Sequence, residues 1–232
     1  FPTWSTDGKY LYFSSAERSW QSDNSEERKV PPEYDTVRYD LVRIAYDEAT
    51  GKWGQRETIL SAAEAQSSIL EPRISPDGRF ALVCLAAHGS FPVFQNDCDL
   101  CLIDVKSREF RRMEINSEHS DSWHGWSSNG RWIVFASKRG NGLFGRVYFA
   151  YVDADGGVYK PFLLPQRDPK FYDTCLKNFN APEFAIKAVS TPQREFLRAI
   201  YQTQAIQAEY EAPEGAARQQ PRSIRSSQPT MH

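Results

Sequence analysis

FPTWSTDGKYLYFSS at 1–15, EPRISPDGRFALVCL at 71–85 and WHGWSSNGRWIVFAS at 123–137 are three versions of one pattern. Each places an apolar residue (Trp4, Ile74, Trp126) before a serine (Ser5, Ser75, Ser127). Asp7-Gly8, Asp77-Gly78 and Asn129-Gly130 follow, then a base (Lys9, Arg79, Arg131), then an aromatic and an apolar run. Asp-Gly and Asn-Gly tolerate positive φ, so they favour a tight turn. Each segment therefore predicts a β-hairpin whose return strand is the aromatic-rich run.

Working outward, a second element recurs after each hairpin: YDLVRIAYD at 39–47, CDLCLIDV at 98–105 and VYFAYVD at 147–153. A shorter extended run comes next, KWGQRETIL at 52–60, EFRRMEI at 109–115 and VYKPFLL at 158–164. Four antiparallel strands, repeated at spacings of 70 and 52 residues, predict an all-β chain of about three four-stranded β-propeller blades. The spacing is long because the loop between second and third strands is long. In the first repeat it covers about 16–37 and is polar and charged.

The hairpin (Trp/Ile)-Ser-x-(Asp/Asn)-Gly-(Lys/Arg), followed by a strand of the type Asp-Leu-x-x-Ile-Asp, resembles the WD-like propeller repeat of TolB and its relatives. The resemblance covers about residues 1–164. It implies a non-enzymatic protein-binding or scaffold propeller in the envelope of a Gram-negative bacterium, periplasmic or associated with the outer membrane. It also implies protein partners and no cofactor. The stretch KPFLLPQRDPKFYD…NFNAPEF is similar to the segment after the last blade in TolB-like proteins of Bacteroidetes-type bacteria. Propellers close with about four to eight blades. Three blades starting at Phe1 are thus expected to be the C-terminal part of a longer propeller, or to be completed by a partner or a second copy. A signal, a lipoprotein cysteine or further blades upstream would fit that expectation.

Composition agrees with an all-β reading. The 232 residues include 6 Trp, 11 Tyr and 14 Phe, a bias toward residues that suit pleated surfaces. A net charge of −2 lacks the basic excess of a phosphate-binding surface, so nucleic acid is not an expected partner. No run approaches the roughly 18 apolar residues of a membrane-spanning helix. Cys98 and Cys101 form a C-x-x-C on a predicted strand, where side chains three apart point to opposite faces. With no second C-x-x-C and no His after Cys101, they read as buried small side chains rather than a zinc or haem site. A cross-strand bridge from Cys84 to Cys98 or Cys101 stays open.

Beyond 164 the pattern changes. Asp168-Pro169 predicts a short helix over about 169–178, and Ser190 with Gln193 predicts a second helix reaching about 211. Phe196, Leu197, Ile200 and Tyr201 would form its apolar face. We thus divide the chain into blades at 1–164, a helical extension at 165–211 and a tail at 212–232 whose composition predicts disorder.

Candidate sites fall on predicted rim loops. His88, His119, Asp121 and His124 would converge there with Arg139, and Arg146 lies nearby. They offer, as the alternative to a scaffold, a ligand-binding, metal-binding or enzymatic propeller with a polar site centred on His124 between Trp123 and Trp126. The plainer reading is solvated loop polarity. Trp20, Tyr34, Phe91 and Phe94 are aromatic anchors for a protein partner, or packing residues of their own loops. The chain has no G-x-S-x-G or H-E-x-x-H sequence. Its G-x-G-x-x-G at 140–145 precedes a strand, so it lacks the helix N-terminus that would hold a phosphate.

Overall fold

A computed structural model describes residues 1–17, 34–89, 91–188 and 190–202. Within these, β1 (Thr3–Trp4), β2 (Tyr10–Ser15), β3 (Asp40–Asp47) and β4 (Lys52–Leu60) form one antiparallel sheet in chain order. β5 (Ser68–Ile74), β6 (Phe80–Ala86), β7 (Asp99–Asp104) and β8 (Phe110–Arg112) form a second. β9 (Asp121–Trp126), β10 (Trp132–Ser137), β11 (Arg146–Tyr151) and β12 (Phe162–Leu163) form a third. These are three β-propeller blades, as the repeat predicts.

The recurring motif builds the same turn three times. Ser75 Oγ accepts from Phe80 N at 2.9 Å and donates to Asp77 Oδ1 at 2.5 Å, and that oxygen also accepts from Arg79 N. Ser5 with Asp7 and Ser127 with Asn129 repeat the arrangement. Gly8, Gly78 and Gly130 hold φ of +70°, +74° and +67°, which explains the glycine. The carbonyl of the following base accepts from the third strand, Tyr46 N, Val105 N and Val152 N, each within 2.9 Å. One short motif thereby locks three of the four strands of each blade.

Packing between blades follows from alternation along β6. Phe80, Leu82, Cys84 and Ala86 face the third blade, beside Ile133, Phe135, Ala150 and Val152. Ala81, Val83 and Leu85 face the first, beside Tyr12, Leu41, Ile59 and Leu60. Every residue of β6 is buried, so the strand reads as one continuous apolar run rather than an alternating one. Cys98 and Cys101 lie in the two opposite cores, as their spacing requires, and both thiols are free.

The segment after the last blade departs from its predicted helix. Only Phe171–Thr174 is helical. Arg146 donates to the carbonyls of Cys175 (2.6 Å) and Lys177 (2.5 Å), and Gly145 exchanges bonds with Asn178 and Phe179. The backbone turns extended at Cys175 (φ −77°, ψ 110°), which ends the helix, and these bonds tie the residues that follow to the start of β11. Phe184 meets Phe149 at 5.7 Å between centroids.

Phe1–Ile186 form one compact unit, and the described residues between 187 and 202 belong to another. Within the latter, a helix is present at Gln193–Gln202; the expected continuation to 211 and the tail at 212–232 lie outside the described residues.

Candidate functional sites on the rim and at the inner strands

In an antiparallel blade the second-to-third-strand loop and the link into the next blade emerge on one rim, opposite the Ser-x-Asp-Gly turns. On that rim Tyr34 opens a 3-10 turn and its ring stands edge-on to His88 at 5.9 Å. A second 3-10 turn, Pro92–Phe94, projects Phe91 and Phe94, which are 60% and 81% exposed. Its base is pinned on three sides. Ser120 Oγ donates to Pro92 O (3.0 Å), Gln95 Nε2 to His88 O (2.6 Å), and Asp97 accepts from Ala87 N (2.7 Å). Gly89 N donates to Val37 O, joining this loop to that of the first blade. Lys138 Nζ lies 5.9 Å from the Phe94 ring centroid. Trp20 lies outside the described residues.

The polar candidates separate into different environments. Asp121 is fully buried at the start of β9, not on a loop. Its carboxylate accepts from Ser117 N (2.7 Å), Ser117 Oγ (2.9 Å) and Arg139 Nη2 (2.9 Å). Arg139 also reaches Ile115 O and stacks over Phe135 and Tyr148. That geometry clamps the link into the third blade to the loop after β10, and both carboxylate oxygens are bonded to protein. His119 packs against Gly142, and His88 against Tyr34. The structure therefore brings Asp121 and Arg139 together, but not as a cluster around His124.

His124 lies inside the structure because of a bulge. β9 pairs Ser122 with Ala136 and Gly125 with Val134, so one extra residue is accommodated. β5 does the same between Leu70 and Arg73. Glu71 and Trp123 occupy equivalent places, three residues before Ile74 and Trp126, and both have positive φ, 53° and 49°. Phe1 holds that place in the first blade, and its ring meets Trp123 edge-on at 6.0 Å. The turned backbone lets Trp123 N donate to Glu71 Oε2 at 2.9 Å. His124 Nε2 bonds Leu82 O at 2.9 Å, and its Nδ1 lies 3.5 Å from Cys84 Sγ. Burial holds the imidazole neutral, its pKa pushed down to about 3. The same burial raises the pKa of Glu71 and drives that of the Cys84 thiol far up. Glu71 carries no local signal of this role, because nothing in Glu-Pro at 71–72 announces a bulge that points its side chain inward.

Solved structures similar to this chain are propellers. TolB from Acinetobacter baumannii is 20% identical with a TM-score of 0.40, over 68% of this chain and 31% of that one. The propeller domain of the Trilobed protease from Pyrococcus furiosus is 12% identical with a TM-score of 0.39, over 72% and 43%. An oligogalacturonate lyase in complex with manganese is 15% identical with a TM-score of 0.44, over 67% and 39%. The likeness is one of fold. The chain spans less than half the length of each of these three proteins. No family model matches it, and no curated protein matches it.

Proposed function

We propose that this chain is a protein-binding propeller segment that engages its partner through the aromatic rim of the first two blades. The observation that carries the reading is the Pro92–Phe94 turn, with Phe91 and Phe94 held outward on a hydrogen-bonded base. Solvent-facing aromatics on a fixed backbone lose little conformational freedom on binding, and such residues concentrate binding energy. Lys138 beside Phe94 adds a positive charge at the edge of the same patch. The resemblance of the repeat to TolB supports a place in the envelope of a Gram-negative bacterium, periplasmic or at the outer membrane. A scaffold role is favoured over a rim-located polar or metal site, since Asp121 and Arg139 satisfy one another and pin the rim.

The test is quantitative affinity isolation with the wild-type chain and a Phe91→Ala/Phe94→Ala variant of unchanged melting temperature. A protein recovered in stoichiometric amount with wild type should fall at least tenfold with the variant, as loss of a hot spot of about 2 kcal/mol requires. Equal recovery would remove these residues from the interface.

A further inference from the structure

Glu71, Cys84 and His124 offer one carboxylate, one thiol and one imidazole at the interface of the second and third blades. All three are buried, at 2%, 0% and 4% exposure. Their ligand atoms lie within 4.8 Å of one another. Cys84 Sγ is 3.5 Å from Glu71 Oε2 and 3.5 Å from His124 Nδ1.

We propose that these three side chains form a binding site for a divalent transition cation of the Zn²⁺ class. Three features carry the inference. The first is tautomer. Leu82 O can only accept, so His124 Nε2 carries the ring proton and Nδ1 turns its lone pair toward Cys84. A backbone carbonyl on the far nitrogen is the usual device for orienting a ligating histidine. The second is spacing. Bonds of about 2.0–2.3 Å to a tetrahedral ion put neighbouring ligand atoms about 3.3–3.8 Å apart, which brackets both 3.5 Å separations. The third is an unfilled valence. One thiol proton cannot serve both Nδ1 and Oε2, and Glu71 Oε1, in a side chain 2% exposed, has no partner.

Charge balances as well. The ion displaces the Cys84 proton, which leaves to solvent, and thiolate plus carboxylate neutralise the two positive charges. Binding would relieve the burial cost that raises the pKa of both acids in the free protein. The Cys98 thiol, which like that of Cys84 is directed at Asp121 O, is a further soft donor beside the site.

The experiment uses the full chain, reduced and freed of metal by a chelator, then titrated with Co²⁺ and Zn²⁺. We expect one ion per chain and a thiolate-to-cobalt charge-transfer band that Zn²⁺ abolishes. Cys84→Ser should lose the band, and Cys175→Ser should keep it. Glu71→Gln, close in size, should keep the band while Zn²⁺ affinity falls at least tenfold. Absence of uptake by the folded chain overturns the site, as does a band that survives Cys84→Ser. If Cys84→Ser does not fold, Glu71→Gln decides, and unchanged Zn²⁺ affinity there overturns it.

Discussion

The buried imidazole of His124 makes a prediction that needs no partner. Its folded pKa lies near 3, against about 6.5 when unfolded. The unfolded chain therefore binds a proton that the native chain refuses, and stability falls with pH below about 6.5. The slope approaches roughly 1.4 kcal/mol per pH unit and continues toward pH 3. Glu71 works in the opposite sense. Its pKa is raised by burial, so its destabilising charge fades as pH falls through the folded value. Urea denaturation of chelator-treated protein between pH 7 and 5 checks the sum, and a His124→Asn variant should show a flatter profile over that range. A second prediction concerns Ser75, which is buried and bonded on both sides of its turn. Ser75→Ala should cost about 1–2 kcal/mol in the same assay.

The residues of the turns were legible in the sequence because their chemistry is local. Serine, Asp-Gly and the base act within six positions, so the pattern alone specifies the hairpin. Glu71 and His124 were not legible as neighbours. They meet only because two inner strands each carry a bulge, and nothing local in EPRIS or WHGWS announces the extra residue. His124 was singled out but assigned to a loop, since a histidine between two tryptophans gives no alternation to place it.

At the scale of elements, the third strands were readable from apolar runs ending near an Asp, and the fourth from the shorter extended runs after the next turn. The helix expected over 169–178 is one turn long: the backbone turns extended at Cys175, and the residues after it are held by Arg146, 29 and 31 residues away in sequence from the carbonyls it binds, a long-range tie that no local pattern announces. The one-turn helix Ala62–Ala65 between the first two blades starts at a capping box of Ser61 with Glu64, a local signal present in the sequence. The Arg146 fork leads to a third prediction. Arg146→Met should increase hydrogen exchange at Phe179 and Gly145, whose amides bond between this segment and the loop before β11, while β6 amides stay protected. The Asp121 clamp gives a fourth. Arg139→Met leaves a fully buried carboxylate without its cation and should destabilise by about 3 kcal/mol or more, read as a lower denaturation midpoint.

For the molecule as a whole, sequence periodicity gave the blade count, and the continuous apolar run of β6 is what a blade covered on both faces requires. The rim was predictable as a surface but not as a site, because the pinning bonds of Ser120, Gln95 and Asp97 join residues from separate loops. This rim, and not the opposite one, is the surface we propose to meet a protein. Photo-crosslinking in cells tests it directly, with a light-activated side chain placed singly at Phe94 and, as control, at Thr50 in the exposed β3–β4 turn of the other rim. A discrete adduct of defined mass is expected from position 94 and none from position 50. Identical adduct patterns from both positions, or none from position 94, would contradict it.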